Sequence, residues 1–256
     1  MEILIGIIAF VTSLASGLLG LGGAVLLIPA YLYLPALFHL TPLDVKSISG
    51  LTSVQVLAAS LLGMILHRQR GVVDSRLVLT MGIPITLAAL GGALFSGSVG
   101  GEAIVAVFGI MAIIAAVLMV VKRPPADETF TLPVPFNMAG AVAIATSIGF
   151  FGGMVGAPGA FILSPLMMVV LKIPTRVTIG STLGIVVLSA LAASVGKFAT
   201  GQVPPVETVV AVISSVPGVY LGSKISHHVS TQTLRRALAL LISAVGAMMV
   251  WRVVGP

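Results

Sequence analysis

Cysteine does not occur in this chain of 256 residues, which excludes disulfides, thiolate nucleophiles and Cys-ligated metals. Charge is nearly as scarce. Asp, Glu, Lys and Arg supply 8% of the residues, against roughly a quarter in a soluble domain, too few to coat a water-soluble fold. Acid is rarest. Glu2, Asp44, Asp74, Glu102, Asp127, Glu128 and Glu207 all stand at the end of an apolar run or in a loop. No carboxylate is left for the middle of a membrane span, where a proton or sodium relay often keeps one. Enzymatic signatures are missing too: there is no H-E-x-x-H, no P-loop and no intramembrane aspartate pair. His39, His67, His227 and His228 lie at the rims of apolar runs, where solvated interface residues are expected. His227-His228 is a poor metal pair, since neighbours on a helix point different ways and no third ligand is close in sequence. Neither an enzyme, a metal site nor a cofactor is expected.

What the chain has in abundance is apolar surface. It is 58% hydrophobic with a mean hydropathy of +1.20, the composition of an integral membrane protein in a lipid bilayer. A formal charge of +6 could suggest a nucleic-acid partner, but no basic cluster is interleaved with aromatics. The excess sits in short loops, as the positive-inside rule requires. The apolar stretch Ile3–Leu14 followed by Ala15-Ser16-Gly17 imitates a signal peptide, yet Glu2 stands where a cationic n-region belongs, so an uncleaved first span is expected.

Ten apolar segments can be drawn: Ile3–Ser16, Ala24–Leu37, Ser47–Leu66, Leu77–Ser96, Ala103–Val121, Phe136–Gly152, Ala160–Leu171, Ile179–Ala199, Val206–Leu221 and Leu234–Trp251. A crossing needs about 20 residues. The first two segments of each half fall short of that because a Gly-rich break divides them, and they read equally as half-helices or as tilted spans joined by a tight turn.

The break is the chain's central motif. Gly17–Pro29 reads GLLGLGGAVLLIP and Gly153–Pro165 reads GMVGAPGAFILSP. Gly17, Gly20, Gly23, Ala24, Leu27 and Pro29 recur in order about 136 positions later, the mark of a duplicated unit. The entry to the following helix repeats as well, Pro42-Leu43-Asp44-Val45 against Pro174-Thr175-Arg176-Val177, and Pro84 in the fourth segment has its counterpart in Pro217. Five segments per unit is an odd number, so the second unit enters the membrane from the opposite side. With the loop His67–Arg76 in the cytoplasm, only Lys46, Lys197 and Arg252 of the 13 Lys and Arg residues fall outside. The expected fold is therefore all-α and polytopic: residues 1–121 and 136–256 are two inverted transmembrane repeats, joined by a cytoplasmic linker at 122–135. Small-residue faces allow a homodimer without requiring one.

Gly/Pro-interrupted segments at matching points of inverted units are the best pointer in a sequence to a transporter's binding site. The glycines also have an ordinary use in close helix packing. Helices restarting at Ala24 and Ala160 aim free N–H groups and positive dipole ends at the break, which favours a small anionic substrate. The candidate site residues are the backbone at Gly22, Gly23, Ala24, Gly159 and Ala160, with the hydroxyls of Ser49, Thr52, Ser181 and Thr182 as neutral donors. Any of these hydroxyls can instead bond back to its own helix. Gln55 either lines the cavity or joins helices. Arg176 and Lys197 can steer or bind an anion, or merely snorkel.

The paired glycine motif, the Pro/Val/Gly-Ser-Thr entry to the next helix and the duplicated layout resemble the TauE/SafE family of sulfite-exporter-like permeases, of the toluenesulfonate-uptake superfamily, over nearly the whole chain. The resemblance implies transport of sulfite, a sulfonate or sulfoacetate across a bacterial inner membrane. Some relatives that handle thiosulfate carry cysteines along the path, and this chain has none. The expected function is export by alternating access around a midplane site between the two breaks. The rivals are a carrier for a carboxylate or another oxyanion, and a non-transporting membrane scaffold.

Overall fold

The computed structural model describes residues 1–19, 24–68, 73–120, 132–157 and 159–226, and, from 228 to 245, all but 231, 234, 235, 238 and 241. Among them the chain builds nine long helices and no strand: α1 (Glu2–Leu19), α2 (Ala24–Leu37), α3 (Val45–Arg68), α4 (Ser75–Phe95), α5 (Gly101–Val120), α6 (Met138–Val155), α7 (Ala160–Val169), α8 (Thr175–Ala199) and α9 (Pro205–Ser226). Six of these, α3, α4, α5, α6, α8 and α9, are long and apolar enough to cross a bilayer. The tenth expected segment, Leu234–Trp251, and most of the linker lie largely outside the described residues, as do Gly20, Gly22 and Gly23.

Each expected segment in this range is a helix, and α1 and α6 run on into their glycine motifs, to Leu19 and Val155. α1 and α6 are 18 residues each, about 27 Å at the α-helical rise, so only α2 and α7, with 14 and 10 residues, are short. The reason lies in what packs on the small residues. Gly149 and Gly153 stay helical because α4 lies along them: a Cβ on Gly149 would meet the Ile85 carbonyl at 2.6 Å, and one on Gly153 would fall on that of Ala89. At the other end of the fold, a Cβ on Gly17 would strike the Val219 carbonyl of α9, and those on Gly218 and Gly222 the carbonyls of Phe10 and Leu14 in α1. In lipid, where tails are as apolar as side chains, such backbone-on-backbone contact is a main source of helix affinity. Gly17 and Gly153, read from sequence as part of the break, are thus helix-packing residues.

These contacts also fix direction. Gly6 lies on Ser214 and Gly222 on Leu14, so α1 and α9 run parallel. Gly149 lies on Ile85 and Gly153 on Ala89, so α4 and α6 run parallel; Gly82 on Leu188 and Gly196 on Ala93 add α8 to that set. α3 opposes α8, since Ser53 meets Ser194 whereas Gly63 meets Leu183. Gly50 abuts Gln202, three residues before α9 begins, so α3 and α9 start at one end and run together. α1, α3 and α9 therefore point one way and α4, α6 and α8 the other. The members of the pairs α1/α6, α3/α8 and α4/α9 are opposed.

The lysines Lys46 and Lys197 share the end at which α3 begins; Arg68, Arg76, Arg176 and Lys224 share the other. At that second end Asp74, 2% exposed, caps α4: its Oδ1 accepts from the N–H groups of Arg76 (3.0 Å) and Leu77 (3.2 Å). Its Oδ2 accepts from Val134 N–H at 2.8 Å, which pins the end of the linker to the bundle. The buried acid is thus fully used in structure.

Candidate functional site

α3 and α8 are the two most buried of the six candidate spans, 61% and 78%, and they carry half of the buried hydroxyls among the described residues. A buried hydroxyl in lipid must find a partner within the protein. Several turn back on their own helix: Ser53 donates to Gly50 O (2.7 Å), Ser60 to Leu57 O (3.2 Å) and Ser189 to Val186 O (3.2 Å). Others reach across the fold, and these separate the expected site residues into two groups.

The first group gathers where α3 begins and α6 ends. α6 stops at Gly156, whose φ of 76° needs a residue without a Cβ, and a Cβ there would also collide with the Ser49 carbonyl. Ser49, buried, donates its hydroxyl to Val155 O at 2.7 Å. Gly159 then enters α7 at φ 66°, with Ile148 Cγ2 in the place of its missing Cβ. Any side chain at Gly159 disturbs packing as well as backbone, so its substitution reports on folding before it reports on a ligand. One turn along α3 from Ser49, Thr52 is fully buried and its hydroxyl has no hydrogen-bond partner among the described residues. Ser16, beside the first glycine motif, is in the same condition. Ala160 opens α7 directly after this turn.

Ser181 and Thr182 form the second group. Ser181 Oγ accepts from Asp74 N–H at 2.9 Å, and Thr182 contacts Met167 Sδ (3.3 Å) and Ser164 Oγ (3.4 Å) on α7. Counting along α8 from Lys197, which shares the first site, to Ser181 gives a separation of roughly 24 Å. The hydroxyls expected to complete one anion shell are therefore divided between opposite ends of the α3/α8 pair. The cause is the antiparallel packing of α3 and α8, which sets matching positions of the two helices far apart. Of the remaining candidates, Ala24 begins α2, while Gly22 and Gly23 lie outside the described residues.

Two open readings are resolved. Gln55 joins helices: its Oε1 accepts from Tyr31 OH of α2 at 2.8 Å, and its Nε2 lies 3.4 Å from Ser13 Oγ of α1. Lys197 does not snorkel. It is 0% exposed, and its ammonium donates to Ser96 Oγ (2.7 Å), Met154 O (2.9 Å) and Gln202 Oε1 (3.0 Å). Ser96 and Gln202, which complete this shell, carry no signal in the sequence, because they come from the end of α4 and the loop before α9. Arg176 bonds Val229 O at 3.4 Å at the opposite end. Among the described residues no group of three or more His, Asp and Glu could hold a metal ion.

Residues 5–249 match the family model described as Sulfite exporter TauE/SafE. The chain is 21% identical over 97% of its length to a probable membrane transporter protein, YunE, of Bacillus subtilis, covering 97% of that protein. It is 26% identical over 93% of its length to a probable membrane transporter protein of Xylella fastidiosa, covering 90% of it. No solved structure matches.

Proposed function

We propose a substrate and a route for this chain, which belongs to the sulfite exporter TauE/SafE family and is a multi-pass membrane transporter. The substrate is a small sulfur-containing anion such as sulfite, a sulfonate or sulfoacetate, and the direction is outward across a bacterial inner membrane. The route follows the buried seam between α3 and α8, with the Ser49, Thr52 and Gly159 region at one end and Ser181 and Thr182 at the other. Two inverted units, 1–121 and 136–256, alternate access by rocking across that seam. The opposed directions of α1/α6, α3/α8 and α4/α9 support the inversion.

The observation that carries this reading is the unpartnered Thr52 hydroxyl, buried one turn from Ser49. An orphaned hydroxyl costs stability, and a retained cost of that kind is explained by a ligand that repairs it. An oxyanion accepts the hydrogen bond that no atom of the described residues takes. The lysine ammonium bound among neutral oxygens nearby supplies the complementary sign.

Thr52→Val tests this, because shape is kept and only the hydroxyl is lost. The purified variant is expected to be at least as stable as the parent, by about 1 kcal/mol, since the orphan is removed. Calorimetric titration with sulfite is expected to show affinity lower by about fivefold, one hydrogen bond's worth. Unchanged affinity would remove Thr52 from the route. Saturable binding of matched carboxylates with no binding of sulfite, sulfoacetate or taurine would reassign the substrate class.

A further inference from the structure

Lys197 is the strongest unexplained feature of the fold. An ammonium has three donors, and here all three go to neutral oxygens, on Ser96, Met154 and Gln202. The charge is solvated but not neutralised. Nearby charge has the same sign: Lys46 donates to Gly97 O at 3.0 Å, one residue from Ser96. Of the acids at this end, Glu2, Asp44 and Glu102 are exposed and Glu207, in the first turn of α9, is half-buried; Asp44 is engaged with Ser47 N–H at 3.1 Å. Part of this arrangement is helix capping, since cations are favoured at the carbonyl ends of α4 and α6. Capping alone does not require full burial of the charge, which is costly without a counter-charge.

The acceptors are informative in a second way. They come from three separate segments: the end of α4, the end of α6 and the loop between α8 and α9. The Met154 carbonyl belongs to the last turn of α6, next to Val155, whose carbonyl holds Ser49, and two residues before the Gly156 turn. The lysine thus ties α8 to the turn where α6 gives way to α7.

We propose that Lys197 is the exchangeable charge partner of the transported anion. In this conformation the protein's own oxygens occupy the ammonium and hold the α6–α7 turn against α8. A small oxyanion with one or two negative charges takes their place, and the loss of the Met154 contact frees the turn to move. Binding and opening are then one event, because the ammonium cannot serve the anion and all three neutral oxygens at once. The inference rests on the anion-transport reading above and adds to it the residue that binds the charge and the contact that is traded.

The test is calorimetric titration of purified protein with sulfite, comparing the parent with Lys197→Met and Gln202→Leu. Lys197→Met keeps the side chain's length and removes the charge, and is expected to weaken binding by at least about tenfold, as expected for a desolvated charge pair. Gln202→Leu removes a competing acceptor and is expected to tighten binding, by about threefold to fivefold. Structural damage moves affinity the other way, so the second variant separates exchange from a merely structural role even where Lys197→Met fails to fold. Parent-like binding in Lys197→Met, or weakened binding in Gln202→Leu, would overturn the proposal while leaving anion transport standing. Absence of sulfite binding in the parent would overturn the anion reading, and this inference with it.

Discussion

Gly153→Leu is expected to leave no stably folded protein. Its Cβ would land on the Ala89 carbonyl and within 2.7 Å of the Ala89 Cα, atoms of a helix backbone that cannot rotate aside. α4 and α6 would have to separate along their whole crossing, a cost on the order of 3–5 kcal/mol. That is a large part of a membrane bundle's stability. Gly92, on the facing side of the same crossing, meets the Phe150 carbonyl and should behave alike. Gly91 is the control. Its Cβ would reach only Phe150 Cδ2 at 4.0 Å, so Gly91→Ala should be tolerated and gain up to about 1 kcal/mol of helix propensity. Size-exclusion profiles and thermal unfolding in detergent distinguish these neighbours. Equal behaviour of Gly91 and Gly92 variants would mean that α4 and α6 do not cross as described.

The second large effect concerns driving force. Among the described residues no carboxylate lies within the body of a span: Glu2, Glu102 and Glu207 sit in first turns, and Asp74 is spent on capping α4 and holding Val134. A carrier without such a group has no evident seat for a coupling proton or sodium ion. For the outward route proposed above, the membrane potential is then the expected driving force. Moving one negative charge outward gains about 2.3 kcal/mol per 100 mV, which corresponds to about a 50-fold concentration ratio. In proteoliposomes clamped with a potassium gradient and valinomycin, sulfite is expected to redistribute with voltage by about tenfold for each 59 mV per charge moved. Removing sodium or collapsing the pH gradient should change nothing beyond sulfite's own ionisation. A distribution that follows sodium or protons instead would establish coupling and contradict the uncoupled export expected here.

Helix positions were legible from the apolar runs, and α2 falls on the expected span, Ala24–Leu37. The odd number of segments expected per unit turns on Leu234–Trp251, most of which lies outside the described residues. What the sequence could not convey was which surfaces meet. Gly153 and Gly156 stand three positions apart in one motif, yet the first is pressed against α4 and the second makes the turn at φ 76°. Only the partner helix distinguishes them. Ser49 and Ser181 look equivalent along the chain, but antiparallel packing carries them to different ends. Lys197 reads as a rim lysine because its burial is decided by Ser96, Met154 and Gln202, which reach it from remote segments.

The most direct measurement is sulfite flux through the purified protein in sealed proteoliposomes, with sulfoacetate, taurine and matched carboxylates run beside it. Saturable, protein-dependent movement of a sulfur oxyanion, reduced in Thr52→Val, is the result predicted here. Vesicles that stay impermeable to every sulfur oxyanion, with protein that is folded and inserted, would contradict it.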